Sequence, residues 1–142
     1  MPEQPKKRPT VPVRSVQSVQ GVNYLRKAQQ HLAIALQARA NDRWDSAVLL
    51  SVHAAIAAAD AVCVGKHGLR SMSKAHADQV KLLRQLYPGS EPASRAASQL
   101  AALIDRKNTV EYEARLCTEK DAETSTKQAE RVIDWAREVL SA

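Results

Sequence analysis

The run Trp44-Asp45-Ser46-Ala47-Val48-Leu49-Leu50-Ser51-Val52-His53-Ala54-Ala55-Ile56-Ala57-Ala58-Ala59-Asp60-Ala61-Val62-Cys63-Val64 is apolar on nearly every side of a helix and rich in Ala. A helix that is hydrophobic all round lies either in the middle of a bundle or in a membrane. Asp60 interrupts its richest part and Gly65 follows it, short of the ~18–20 uninterrupted apolar residues of a span. The run therefore predicts a central helix from about Arg43 to Val64, with small side chains that let neighbours approach closely. His53 and Asp60 lie two turns apart on one face and are its polar exceptions, expected to be hydrogen-bonded within the bundle. Gly65 and Gly68 are expected to end the helix.

Other helices are legible on both sides. Val22, Leu25, Ala28, Leu32 and Ala35 recur at helical spacing, opposite Arg26, Lys27, Gln30 and Gln37. This predicts a first helix that starts between Ser15 and Gly21 and ends near Ala40, with His31 at its boundary and Asn41-Asp42 as a turn. After the central helix, residues 65–73 read as a loop. Ser73 would cap a third helix over about Lys74 to Leu86, with Val80, Leu83 and Leu86 inward. Tyr87-Pro88-Gly89-Ser90 is a stop, and Ser90-Glu91-Pro92 suits a helix start, because Pro is tolerated in the first turn. That fourth helix would run to about Arg115. Thr118-Glu119-Lys120-Asp121 has the form of a capping box, ahead of a fifth helix with Ala122, Ala129, Val132, Ile133, Ala136, Val139 and Leu140 inward. No strand pattern and no internal repeat is evident. The expected fold is all-α, a five-helix up-and-down bundle over 15–142.

The chain has 142 residues, enough for one domain with a proper core, and only 4% of them are aromatic, with no Phe. Ala, Leu and Val must supply the packing, which suits close helices. Residues 1–14 hold Pro2, Pro5, Pro9 and Pro12 and carry Lys6, Lys7, Arg8 and Arg14 against Glu3. They read as a disordered basic tail that brings half of the net charge of +6. No apolar block follows these residues, so no secretory signal is read, and no membrane is expected. Cys63 and Cys117 have no motif spacing and fit thiols in a reducing, cytoplasmic setting.

One stretch of the fourth helix breaks its own pattern. In Leu103-Ile104-Asp105-Arg106-Lys107-Asn108-Thr109-Val110-Glu111-Tyr112-Glu113-Ala114-Arg115, residues Leu100, Leu103, Ile104, Val110 and Ala114 share a face, and Lys107 and Glu111 fall in its middle. Left unpaired in a dry core, either charge would cost several kcal/mol. They must pair with each other, meet a partner or line a polar cleft. Arg106, Asn108 and Tyr112 flank them, which makes this cluster the candidate site. Known chemistry motifs are missing: no Glu-x-x-His, His-x-x-x-His or Cys-x-x-Cys, and no phosphate- or dinucleotide-binding glycine pattern. No metal or cofactor is expected. Helix-turn-helix binding is disfavoured by the long loop between the second and third helices.

The Ala-rich second helix, the segment Lys74 to Leu83, and Arg106-Lys107-Asn108-Thr109-Val110-Glu111-Tyr112 followed by Asp121-Ala122 and Ala129 through Leu140 resemble the HEPN superfamily of prokaryotic helical domains. The likeness covers about residues 20 to 140. It implies a homodimer whose paired motifs line one cleft, in a toxin–antitoxin or phage-defence setting, with RNA or a nucleotide bound there. A cognate antitoxin or a nucleotidyltransferase-like protein is the implied partner. Ribonuclease members of that family carry Arg, a polar residue, and then His after four to six positions. Here Arg106, or Lys107 before Asn108, matches the start, and Glu111, Tyr112 and Glu113 stand where His belongs.

Glu111 is a candidate base, but Lys107 one turn away favours its charged form, and a phenol such as that of Tyr112 is a poor base at neutral pH. His53 or His76 would have to enter from another helix. The first reading is therefore a non-catalytic HEPN-like domain that binds RNA, nucleotide or protein at a dimer cleft through Arg106, Lys107, Asn108, Glu111 and Tyr112. The rival is a metal-independent endoribonuclease that uses Arg106 with Glu111 or Tyr112 in a non-standard role. A third reading is a structural adaptor.

Overall fold

The computed structural model describes residues 9–142. Within these residues the chain forms α1 (Gly21–Ala40), α2 (Trp44–His67), α3 (His76–Leu86), α4 (Glu91–Glu113) and α5 (Glu119–Ser141). Two short strands, β1 (Val13–Ser15) and β2 (Leu69–Ser71), and a 3-10 turn at Ser18–Gln20 complete it. The all-α bundle expected from the sequence is what forms.

α2 is the centre. Ala54, Ala55, Ala58, Ala59, Ala61 and Val62 have no exposed surface, and α1, α3, α4 and α5 all pack against this helix. By length and composition α2 is apolar enough to cross a membrane, but 78% of its apolar window is buried inside the protein. Its neighbours supply the apolar surroundings that its sequence demands. Leu82 and Leu83 of α3, Leu100 and Leu103 of α4, and Val132 of α5 fill the core around it.

The expected end of α2 is corrected. Gly65 does not stop the helix, which runs on to His67, and Gly68 in the left-handed conformation (φ 63°) closes it. Gly65 serves a contact instead: a Cβ built on Gly21 would lie 2.6 Å from Gly65 Cα, so the first turn of α1 and the last turns of α2 touch backbone to backbone.

The expectation of a disordered tail over 1–14 also needs correcting from Pro9 onward. β1 pairs antiparallel with β2, setting Val13 against Ser71 and Ser15 against Leu69. Val11 is buried in the core, and Thr10 and Gln85 exchange hydrogen bonds of 2.9 and 2.6 Å. Prolines forbid a helix here but tolerate an extended edge strand. The loop expected over 65–73 holds the other strand. The Lys6-Lys7-Arg8 run lies outside the described residues.

The helix starts divide. Ser90 caps α4 by accepting from the Ala93 N–H, and Thr118 and Asp121 form both bonds of the capping box on α5. α3 begins at His76 rather than Lys74, because the Ser73 hydroxyl accepts from the Ala75 N–H inside the preceding turn.

Candidate functional site

Leu100, Leu103 and Ile104 of α4 are buried, but beyond them the helix leaves the core: Val110 is half-buried and Ala114 exposed. α4 and α5 form a hairpin, so the polar first turns of α5 (Glu119, Lys120, Asp121, Glu123) lie alongside and offer little apolar surface. Lys107 and Glu111 thus avoid the dry core that their position on the stripe suggested. They pair with each other at 3.5 Å, Lys107 half-buried and Glu111 open to solvent.

The five candidate residues do not face one cleft of this chain; α4 deals them to three sides. Arg106 turns to α5, where its Nη1 donates to Ser125 Oγ at 3.0 Å and Gln128 Oε1 at 2.8 Å. Ser125 is completely buried, as is its neighbour Thr126, which accepts a bond from Arg39 of α1 at 3.0 Å. Two arginines from different helices therefore anchor the start of α5. Asn108 and Tyr112 are exposed, Tyr112 to 91%. Lys107 turns toward α2 and α3.

On that side three histidines gather. His53 of α2 faces His31 of α1, with ring centroids 6.0 Å apart, and the charges of Lys107 and His76 also reach it. Burial, then the cationic neighbours His31, Lys107 and His76, hold the His53 imidazole below its ordinary value. His76 at the start of α3 is lowered as well, by burial and then by Lys107, with Asp60 pulling the other way. The expectation that His53 is hydrogen-bonded inside the bundle gives way to a residue at the partly open surface, its ring facing His31.

Asp60 does behave as expected. It is 5% exposed and accepts from Arg70 Nε at 3.3 Å and from Gln79 Nε2 at 2.8 Å. Burial raises its carboxyl, and Arg70, Gln79 and His76 oppose that rise. Arg70 also lies 5.1 Å over the Tyr24 ring, which Lys27 approaches at 5.4 Å. Cationic groups from four helices and β2 therefore share one side of the bundle. Two carboxylates among them, Asp60 and Glu111, are already engaged by Arg70 and Lys107.

Among the described residues no group of three His, Cys, Asp or Glu side chains could hold a metal ion. Cys63 and Cys117 are buried free thiols, each pushed up to about 12, chiefly by burial. A groove of about 910 Å³ between the 3-10 turn, α1 and the end of α5, lined by Val19, Val22, Leu25 and Leu140, contains none of the candidate residues.

His31 was read from sequence as a boundary residue, and its role in this cluster was missed. A signal was there. His31 and His53 lie equally far before and after Asp42, so an antiparallel α1–α2 hairpin sets them side by side.

An all-α bundle with a late polar motif on α4 and a closing helix defines a class of small helical domains. The family model described as HEPN domain matches residues 22–139, and the chain belongs to that family. No curated protein and no solved structure matches it.

Proposed function

We propose that this HEPN domain binds single-stranded RNA, or a nucleotide, on the face where Lys107 meets His53 and His76. The observation that carries the reading is the convergence of His31, His53, His76 and Lys107 from α1, α2, α3 and α4. Phosphate oxygens would meet Lys107 and the protonated rings on this face, while Tyr112 and Asn108, on the exposed side of α4, would offer a ring and an amide to bases of a strand that continues past it. Arg106 acts on this face indirectly by holding α4 to α5, and Glu111 tempers Lys107.

The domain works as a homodimer in this reading. Tyr112 in the last turn of α4 and Leu116 in the loop after it are large apolar residues left at 91% and 80% exposure. Exposed residues of this kind are favoured at interfaces. A toxin–antitoxin or phage-defence setting, with a cognate antitoxin or nucleotidyltransferase-like partner, is part of the proposal. The test is anisotropy of a labelled RNA oligonucleotide with the full chain and with Lys107→Glu, read beside light scattering. Lys107→Glu should weaken binding by about tenfold at low salt. Equal affinity in the two proteins removes this face from RNA binding.

A second reading, metal-independent RNA cleavage, is favoured by one feature. His53 and His76 are held toward the neutral imidazole that a general base requires. Cleavage in the presence of a chelator, lost in His53→Ala, would support it; intact RNA after long incubation would retire it.

A further inference from the structure

Resting on the RNA reading above, we infer that His31, His53, His76 and Lys107 make one phosphodiester site that takes up protons as it binds, so that RNA is held tightly below neutral pH and released above it. Each of the four residues comes from a different helix, so the site exists only in the folded bundle. The His31 and His53 rings stand 6.0 Å apart, close enough to share one phosphate group.

Every group acting on the His53 charge is itself cationic when protonated: His31 from α1, His76 from α3 and Lys107 from α4. His76 faces Lys107, and the carboxylate reaching it is Asp60, which already accepts from Arg70 of β2 and Gln79. Glu111 sits on Lys107 from the solvent side. In the unliganded protein a proton on His53 meets the Lys107 ammonium and, where they carry protons, His31 and His76, and with burial this holds the His53 ring toward its neutral form. A bound phosphodiester reverses this balance, because its negative charge favours the protonated form of each ring. Ligand and proton then bind together, and each raises the affinity for the other.

A phosphodiester keeps one charge per residue throughout the near-neutral range, so any pH dependence of RNA affinity belongs to the protein. The experiment titrates a rhodamine-labelled oligouridylate with the full chain at low salt, between about pH 6 and pH 8, where imidazoles change charge. For each imidazole that must gain a proton, affinity should fall by up to about tenfold per pH unit. His53→Gln/His76→Gln should lose most of that slope. In parallel, the histidine C2–H signals of the wild-type protein are titrated by NMR with and without the oligonucleotide. The His53 and His76 midpoints should move to higher pH when RNA is present.

RNA binding with a flat pH profile overturns the proton coupling and leaves the RNA reading standing. A slope that survives in the double variant, or histidine midpoints that RNA does not move, places the proton elsewhere and overturns the site. Absence of binding at every pH sinks the RNA reading and this inference together.

Discussion

Lys107 and Glu111 form an ion pair of 3.5 Å one turn apart on α4, and its two ends are unequal: 23% of the Lys107 side chain is exposed, against 61% of Glu111. A pair with one end in water stabilises a helix by only about 0.3–0.5 kcal/mol. The carboxylate therefore matters less to the fold than to the field around Lys107. Glu111→Gln should change the unfolding free energy by less than about 0.5 kcal/mol. RNA affinity should rise by a few-fold, since a charge that repels phosphate has gone. An unaltered or weaker affinity would separate Lys107 from phosphate binding.

Arg106 predicts the opposite pattern. Its bonds to Ser125 and Gln128 tie α4 to the start of α5, and Ser125 has no access to water. Removing a charged donor from a buried hydroxyl costs about 1.5–3 kcal/mol. Arg106→Ala should lower stability by about 2 kcal/mol in denaturant titration. At temperatures where the variant stays folded, its RNA affinity should be close to that of the wild type. Full stability with lost binding would instead make Arg106 a direct contact.

The depressed imidazoles have a consequence for stability. His53 and His76 titrate below the ordinary 6.5 in the folded protein, so below about that pH the unfolded chain binds protons more readily. Their contribution is present above 6.5 and is lost as pH falls through their lowered folded values. Asp60, raised by burial, acts in the other sense: its contribution is present in acid and lost as pH rises through its folded value. The melting temperature should decline from about pH 7 toward pH 5, and His53→Gln/His76→Gln should flatten that decline. Asp60 is coupled to His76 alone of the two rings, so the single variant His53→Gln, which leaves that coupling in place, should also flatten part of the decline. Parallel profiles would mean that the imidazoles titrate normally.

Much of this was legible in the sequence, for reasons that can be named. Helical periodicity and the Ala-rich run placed five helices, and the Ser90 and Thr118 caps were visible because capping is local chemistry. β1 was missed because residues 9–15 are too short and too rich in proline for a strand pattern; the pairing exists only because Gly68 turns the chain back beside it. The α4 cluster was located, but its division between α5 and the histidine side was hidden. Periodicity gives angles about one axis, whereas which neighbour occupies each angle is set by packing. Lys107 looked like a core charge because the apolar stripe was extended past Ile104, beyond the point where α5 has apolar residues to meet it.

The contact between Gly21 and Gly65 makes the last prediction, because it fixes how α1 and α2 meet at one end of the hairpin that carries His31 and His53. A Cβ on Gly21 would stand 2.6 Å from Gly65 Cα, 2.9 Å from Gly65 N and 3.0 Å from the Ala61 carbonyl oxygen. All three are backbone atoms, so no side-chain rotation relieves the clash and the helices must separate. Overpacking of this kind costs about 1–3 kcal/mol, partly offset by the gain of about 0.5–1 kcal/mol when Ala replaces Gly in a helix. Gly21→Ala should therefore destabilise by about 1–2 kcal/mol and shift the His31 and His53 ring signals in NMR spectra. Gly89→Ala is the control. At φ 77° with nothing within 4 Å of the added Cβ, it should cost about 1 kcal/mol from backbone strain alone. Its histidine signals should stay where they are. If Gly21→Ala is as stable as the wild type, the close approach of α1 and α2 is not what holds the hairpin together.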